Sequence, residues 1–284
     1  MIVACVIGVA LGVYALVLHL LMDPMSDVRV YWEAGTRLNQ GQPLYDVAAS
    51  DSFGLYLNPP LLAIVFRPLA LLPFRAAAAI WLVVITCCLG LTLRQTGLRR
   101  PVWIALAILA EPIAWSFAIG QSEPVLTLML TLAMPASVAV AGYLKVVPWL
   151  AAAYWLVRRD LRALARFIAW VIGLGVAQLI LEPAGTLAWL QLTWLRPAFM
   201  VHNISPFAIH PLLWVVMLLA LGLGLWRFRR TRLAWPFAVG IAVLAYPRLL
   251  VYQLMSLLAV FGGPRDASPD AAAHAASRGP APRH

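Results

Sequence analysis

Runs of apolar residues, each about the 20 residues needed to cross a bilayer, alternate along this chain with short breaks that carry arginine. Ile2 to Met22 is the first such run; it lacks a basic leader and a small-residue cleavage site, so it is read as a retained first helix. Asp23-Pro24 breaks it, and Ser26 or Asp27 is placed to cap a new helix running to about Gln40. At helical spacing Asp27, Val30, Tyr31, Ala34 and Leu38 share one side of that helix, while Arg29, Glu33 and Arg37 pair on the other. A helix of this kind lies in the membrane interface, and its Asp27 side is expected to run along the lipid. Leu61 to Leu72 is apolar but short and is interrupted by Arg67-Pro68, which suits a re-entrant or interfacial pair.

Beyond it the pattern predicts spans from Ala76 to Leu93 inward and from Val102 to Ile119 outward, ending at Gly120-Gln121-Ser122-Glu123. Residues 124–157 then require an odd number of crossings, met by one broken span or by three short ones. Pro135, Gly142 and the Lys145 to Pro148 interruption favour a discontinuous arrangement. Phe167 to Leu181, Pro211 to Trp226, Leu233 to Ala245 and Leu249 to Phe261 complete the set, with an external loop from Glu182 to about Ile209. The fold class expected is all-α and polytopic transmembrane, with about eight to ten membrane helical elements and an amphipathic interfacial helix in the first external loop. Residues 1–261 form the membrane-embedded domain, and 262–284, rich in Gly, Pro, Ala and Ser, form a disordered cytoplasmic tail.

Composition agrees: 63% of the 284 residues are hydrophobic and 11% charged, far from the balance of a soluble domain. The net charge of +10 first suggests a nucleic-acid partner. Its placement argues otherwise, because 11 of the 21 basic residues fall in three breaks, Arg94 to Arg100, Arg158 to Arg166 and Arg227 to Arg232. Such clusters mark cytoplasmic loops. Five of the 11 acidic residues, Asp23, Asp27, Glu33, Asp46 and Asp51, lie in the one long polar stretch, which is therefore assigned to the outside. Cys5, Cys87 and Cys88 all sit in apolar runs without metal or disulfide spacing and read as packing residues.

The run from Ser26 to Tyr45, with Asp27 near its start and Gly41-Gln42-Pro43-Leu44-Tyr45 at its close, resembles the first external loop of glycosyltransferase family 87. That branch of the membrane-embedded GT-C superfamily includes polyprenyl-phosphate-mannose-dependent mannosyltransferases. Tyr56-Leu57-Asn58-Pro59-Pro60-Leu61, Gly120-Gln121, Lys145 with Pro148 and Arg158-Arg159, and Tyr246 to Tyr252 resemble later pieces of the same family in the same order. Asn203-Ile204-Ser205 is a weaker echo. The chain departs from the family in being shorter and in having no basic turn between Gln121 and Lys145. The resemblance implies a GT-C-like fold at the plasma membrane and transfer of a hexose, mannose first, from a polyprenyl-phosphate donor to a lipid or glycan acceptor on the extracytoplasmic face, with inversion of configuration.

Such chemistry needs a base for the acceptor hydroxyl, cations for the departing phosphate and a path for the lipid. Asp27 is the expected base and matches the family's catalytic Asp by resemblance; the bland alternative is a carboxylate complementing a helix dipole. Lys145, Arg248, His202 and Arg196 are candidates to face phosphate, against simple snorkelling for Lys145 and Arg248 and ordinary loop placement for His202 and His210. Tyr31, Tyr45 and Tyr56 suit sugar stacking, although aromatics also gather at interfaces. Gln121 and Glu123 are placed to hold acceptor hydroxyls, with helix capping the simpler reading of Glu123. No Asp-x-Asp motif and no nucleotide-cradling loop occurs, so no cofactor, metal, nucleotide sugar or nucleic acid is expected. Two other readings stay open: a transporter or flippase, which should show inverted repeats, and an inactive GT-C-like scaffold.

Overall fold

The computed structural model describes residues 1–45, 56–192 and 203–264, and among them every regular element is helical. Expectations that fall on Asp46, Asp51, Arg196, His202 or the tail beyond 264 lie outside the described residues. Helix α1 (Ile2–Met22) leads through a sharp turn into α2 (Ser26–Asn39). The Asn-Pro-Pro segment starts α3 (Pro60–Phe66), followed by a 3-10 turn at Leu69–Leu71 and by α4 (Phe74–Thr96). Next come α5 (Arg100–Ile108) and α6 (Ala110–Ile119), bent by 61° against each other. The bend has a plain cause, since Pro112 lacks the N–H that would reach back to Ile108.

The difficult stretch resolves into short pieces: α7 (Glu123–Leu132), α8 (Pro135–Leu144), and a 3-10 segment, Val147–Ala152, that runs into α9 (Ala153–Arg158). At 1.5 Å per residue, α7 and α8 each reach about 15 Å, half of a bilayer core of about 30 Å. Ala133, in left-handed backbone, turns one into the other, so the pair enters and returns. The remaining elements are α10 (Leu161–Leu181), α11 (Pro183–Leu192), α12 (Pro206–Ile209), α13 (Pro211–Arg227), α14 (Ala234–Leu244) and a 3-10 helix, Val251–Phe261.

Among the described residues three helices, α1, α4 and α10, are long and apolar enough to cross a membrane, or four spans if the bent α5–α6 pair is counted. The long helices leave most of their surface outward, as lipid-facing helices do. The short helices α7, α8 and α14 and the last 3-10 helix are largely buried. Leu126, Leu130, Val138, Ala141, Ala238, Ala242, Met255 and Leu258 of α7, α8, α14 and the last 3-10 helix form the core. Irregular backbone at membrane depth is tolerated where protein surrounds it, and the long helices supply that surround.

Contacts along the helices sort the chain into two ends. Trp81 Nε1 donates to the Gly120 carbonyl at 2.9 Å, and α4 runs from there to Arg94 at its far end. Arg158 Nη1 donates to the Arg229 carbonyl at 3.1 Å, which joins the second and third arginine clusters. Gln178, near the close of α10, accepts from the Leu61 amide at 3.1 Å, back at the Gly120 end. All three arginine clusters thus occupy one end, and α2, Gly120 to Glu123, Lys145 and Arg248 occupy the other.

Helix α1 runs parallel to α5 and α6 and is held by close backbone approach. A Cβ on Gly8 would stand 2.3 Å from the Ala107 carbonyl oxygen, and one on Gly12 would stand 2.8 Å from Ala110 atoms. This is a small-xxx-small contact. Gly8→Leu is expected to destabilise the protein by about 1–3 kcal/mol, read as a lower thermal midpoint in detergent. Gly222→Ala, where nothing lies within 4 Å of the added Cβ, should leave the midpoint unchanged. Equal midpoints for all three proteins would show that α1 is not anchored through Gly8.

Candidate polar site at the Gly120 end

Helix α6 ends at Gly120, whose φ of 71° is in the left-handed region where a side chain is strained. A Cβ there would also press Val28 at 3.0 Å. This turn sends Gln121 toward α2 and Glu123 toward Lys145 at the end of α8.

Gln121 faces α2. Its Nε2 donates to Asp27 Oδ2 at 2.5 Å, while its Oε1 accepts from the Tyr31 hydroxyl, from the Ser122 amide at 2.8 Å and from Ser122 Oγ at 3.0 Å. Asp27 sits in the first turn of α2 but does not cap it. Met25, in left-handed backbone, holds the N-cap position and donates its own N–H to the Ala118 carbonyl at 2.9 Å. The expectation of a Ser26 or Asp27 cap is therefore corrected, and the Asp27 carboxylate is turned to Gln121 instead. The expected lipid-facing side of α2 is corrected as well. Tyr31, Ala34 and Leu38 of that side are buried in protein, with Tyr31 edge-on to Phe66 and Trp81.

Asp27 is only partly exposed, with protein packed around it. Loss of hydration raises its pKa from the usual carboxylate range to about 6, offset in part by the Lys145 ammonium and reinforced by Asp23. Burial also pushes the Tyr31 phenol above its ordinary value, so Tyr31 remains a hydrogen-bond donor at any physiological pH.

Glu123 faces the interior. It is 2% exposed and Lys145, from the end of α8, is 9% exposed; their charged atoms lie 2.7 Å apart. Ser256 Oγ donates to the other Glu123 oxygen at 2.5 Å and lies 3.0 Å from Thr127 Oγ1. The Lys145 ammonium also stands 4.7 Å from the centre of the Tyr252 ring, a favourable cation–π distance. Every member of this group has a partner, the condition under which a buried ion pair is tolerated. Glu123 thus neutralises the cation that the sequence assigned to phosphate.

Arg248 comes to the same end by a different route. Asn203 Oδ1 accepts from the amides of Ser205 and Leu249, each at 2.9 Å, and Asn203 Nδ2 donates to the Pro247 carbonyl at 2.9 Å. Ser205 Oγ donates to the Tyr246 carbonyl at 2.9 Å. The Asn203-Ile204-Ser205 and Tyr246 to Tyr252 pieces, far apart in sequence, are one clamp. Arg248 is partly exposed and acts electrostatically on Tyr252, as do Asp27 and Glu123.

Tyr45 and Tyr56 stand apart from this group. The Tyr45 hydroxyl donates to the Asn58 carbonyl at 2.6 Å. The Tyr56 hydroxyl donates to the Pro59 carbonyl at 2.6 Å and accepts from the Ala63 amide at 2.9 Å. Their rings lie 5.8 Å apart, and together they brace the turn that starts α3. Of the candidate residues, the fold brings together Asp27, Tyr31, Gln121, Lys145 and Arg248; His202 lies outside the described residues. Ser122, Ser256 and the contact role of Tyr252 were missed. A lone serine within an apolar run was the one available sign of Ser256. Among the described residues no three His, Cys, Asp or Glu side chains gather as metal ligands do.

Because the Glu123–Lys145 pair is buried, removing one charge leaves the other uncompensated. Glu123→Gln or Lys145→Met alone is expected to cost about 3–5 kcal/mol of stability, and the double variant much less than the sum. Unfolding of the four proteins in detergent measures the coupling; simple additivity would show that the pair is not buried as described.

Comparison with known proteins places the chain. The model of glycosyltransferase family 87 matches residues 56–262, a range that begins after α2 and so does not include Asp27. Over 160 residues the chain is 33% identical to the polyprenol-phosphate-mannose-dependent alpha-(1-2)-phosphatidylinositol pentamannoside mannosyltransferase of Mycolicibacterium smegmatis, covering 49% of this chain and 39% of that protein. The protein of the same name from Mycobacterium tuberculosis is 30% identical over 178 residues, 54% of this chain and 41% of the relative. These alignments span about two fifths of the length of the curated relatives. No solved structure matches significantly.

Proposed function

The chain belongs to glycosyltransferase family 87, and from that premise we propose that it moves a hexose, mannose by the names of its relatives, from a polyprenyl-phosphate donor to a hydroxyl of a lipid or glycan acceptor. The site lies on the extracytoplasmic side of the plasma membrane by the positive-inside rule, because the arginine clusters gather at the other end. Asp27 is the general base. The observation that carries this reading is a partly exposed carboxylate of raised pKa at the same end as Lys145 and Arg248.

In the reaction the acceptor hydroxyl gives its proton to Asp27 while its oxygen attacks the anomeric carbon. The bond from that carbon to the phosphate oxygen breaks, and its electron pair leaves with polyprenyl phosphate. One displacement from the opposite face inverts the configuration. A base with pKa near 6 is largely ionised at pH 7 yet a stronger proton acceptor than an ordinary carboxylate. The leaving phosphate carries its charge into a low-dielectric region where a fixed cation has most effect. Arg248 is the partly exposed cation of the group, and Lys145 adds a field already balanced by Glu123.

Asp27→Asn should lower turnover by about 10²–10⁴-fold with the fold intact. Only the ionised carboxylate accepts a proton, so wild-type turnover should be constant above the pKa and fall about tenfold per pH unit below about 6. Purified protein, polyprenyl-phosphate mannose and an alkyl mannoside acceptor test both points. Wild-type turnover by Asp27→Asn, or a rate that does not fall between pH 6 and pH 4, removes Asp27 as the base.

A further inference from the structure

Both ends of the Gln121 side-chain amide are hydrogen-bonded, the oxygen and the nitrogen to different groups. Its Oε1 receives the Tyr31 hydroxyl, the Ser122 amide and the Ser122 hydroxyl. A backbone N–H has no choice but to donate, and the buried phenol keeps its proton, so the oxygen end of the amide is fixed toward α2 and Ser122. The nitrogen end must therefore point the other way. There it meets Asp27 Oδ2 at 2.5 Å. The residue is 4% exposed, so water does not compete for these bonds.

We propose that Gln121 is a positioning residue for Asp27, clamped by Tyr31 and Ser122 so that its amide N–H occupies Oδ2 and turns Oδ1 toward the acceptor hydroxyl. This rests on the reading of Asp27 as the base. Tyr31 lies one turn after Asp27 on α2, so the chain Asp27 to Gln121 to Tyr31 closes a ring between α2 and the α6–α7 junction. Rotation of the carboxyl is thereby stopped. Among the described residues Oδ1 has no hydrogen-bond donor. An N–H donated to the ionised carboxylate is a charge-assisted bond, and it favours the charged form. An amide, unlike a histidine or a second carboxyl, gives this help without taking the proton. It also replaces the acceptor-binding role expected of Gln121, whose polar atoms are already engaged.

The charged and titratable groups around Asp27 are Asp23 at the end of α1, Lys145 at the end of α8, Tyr31 on its own helix and Tyr252 on the last 3-10 helix. None of these is altered in Gln121→Leu, so a changed titration reports the lost amide. Infrared titration of the carboxyl C=O band in the full-length protein in detergent, taken as the difference from Asp27→Asn, reads Asp27 without turnover. Gln121→Leu should raise the midpoint by about one pH unit. Tyr31→Phe, which keeps the ring and removes one of the donors that hold the amide, should raise it by about half as much. Turnover of polyprenyl-phosphate mannose should fall at least tenfold in kcat for Gln121→Leu, with donor KM within twofold.

An unchanged midpoint in Gln121→Leu, or in Tyr31→Phe if the first variant does not fold, overturns the inference. The two claims separate cleanly. If Asp27→Asn is inactive while the midpoint stays put, the base stands and the clamp fails. If the midpoint moves while Asp27→Asn turns over normally, the contact is real but the base reading it rests on has failed.

Discussion

A carboxylate and an ammonium drawn together in an apolar interior, Glu123 with Lys145, hold the outer ends of two half-length helices side by side. Without that pair, α7 and α8 would be two short apolar segments with no reason to enter a membrane and return. Isolated, either charge is costly at such a depth; together, with Ser256 on the carboxylate and Tyr252 under the ammonium, they are satisfied. The pair also fixes the residue that follows Ser122, so the Gly120 turn is pinned from the α7 side as Gln121 pins it from the α2 side. The polar site is assembled from these two attachments, at Gln121 and Glu123.

Around this core the long helices α1, α4 and α10 turn most of their apolar surface outward, while α7, α8, α14 and the last 3-10 helix are enclosed. The arrangement divides labour by length: α1, α4 and α10 span, while the α7–α8 hairpin, α14 and the last 3-10 helix carry or support polar groups that lipid would not tolerate. It also separates charge. The three arginine clusters gather at one end, and carboxylates of the site sit at the other with Lys145 and Arg248. The proposed donor, a prenyl-linked phosphate sugar, has the same division, with an apolar chain for lipid and a charged head for the polar end.

Much of this was legible in the sequence. The long apolar runs gave α1, α4 and α10, arginine placement gave a common end for three loops, and the interruptions at Pro135, Gly142 and Lys145 to Pro148 pointed to a discontinuous stretch between 124 and 157, with one broken span or three short ones left open. The side of α2 that carries Asp27 was visible from helical spacing, but its partner was not, because an apolar and aromatic face suits protein as well as lipid. Gln121 was singled out for substrate; its bond to Asp27 depends on a contact across 94 positions, which no local pattern encodes. Glu123 and Lys145 were noted separately. Their pairing follows from the α7–α8 reversal, and a left-handed alanine at position 133 gives no sequence warning.

The structure of the full-length protein bound to polyprenyl-phosphate mannose, determined by cryo-electron microscopy, tests the central claim most directly. The account predicts the anomeric carbon beside Asp27, with room for an acceptor oxygen within about 3 Å of the carboxylate, and the phosphate on the side of Lys145 and Arg248. A mannosyl phosphate bound among the arginine clusters, or anywhere that leaves Asp27 out of reach of the anomeric carbon, would contradict it.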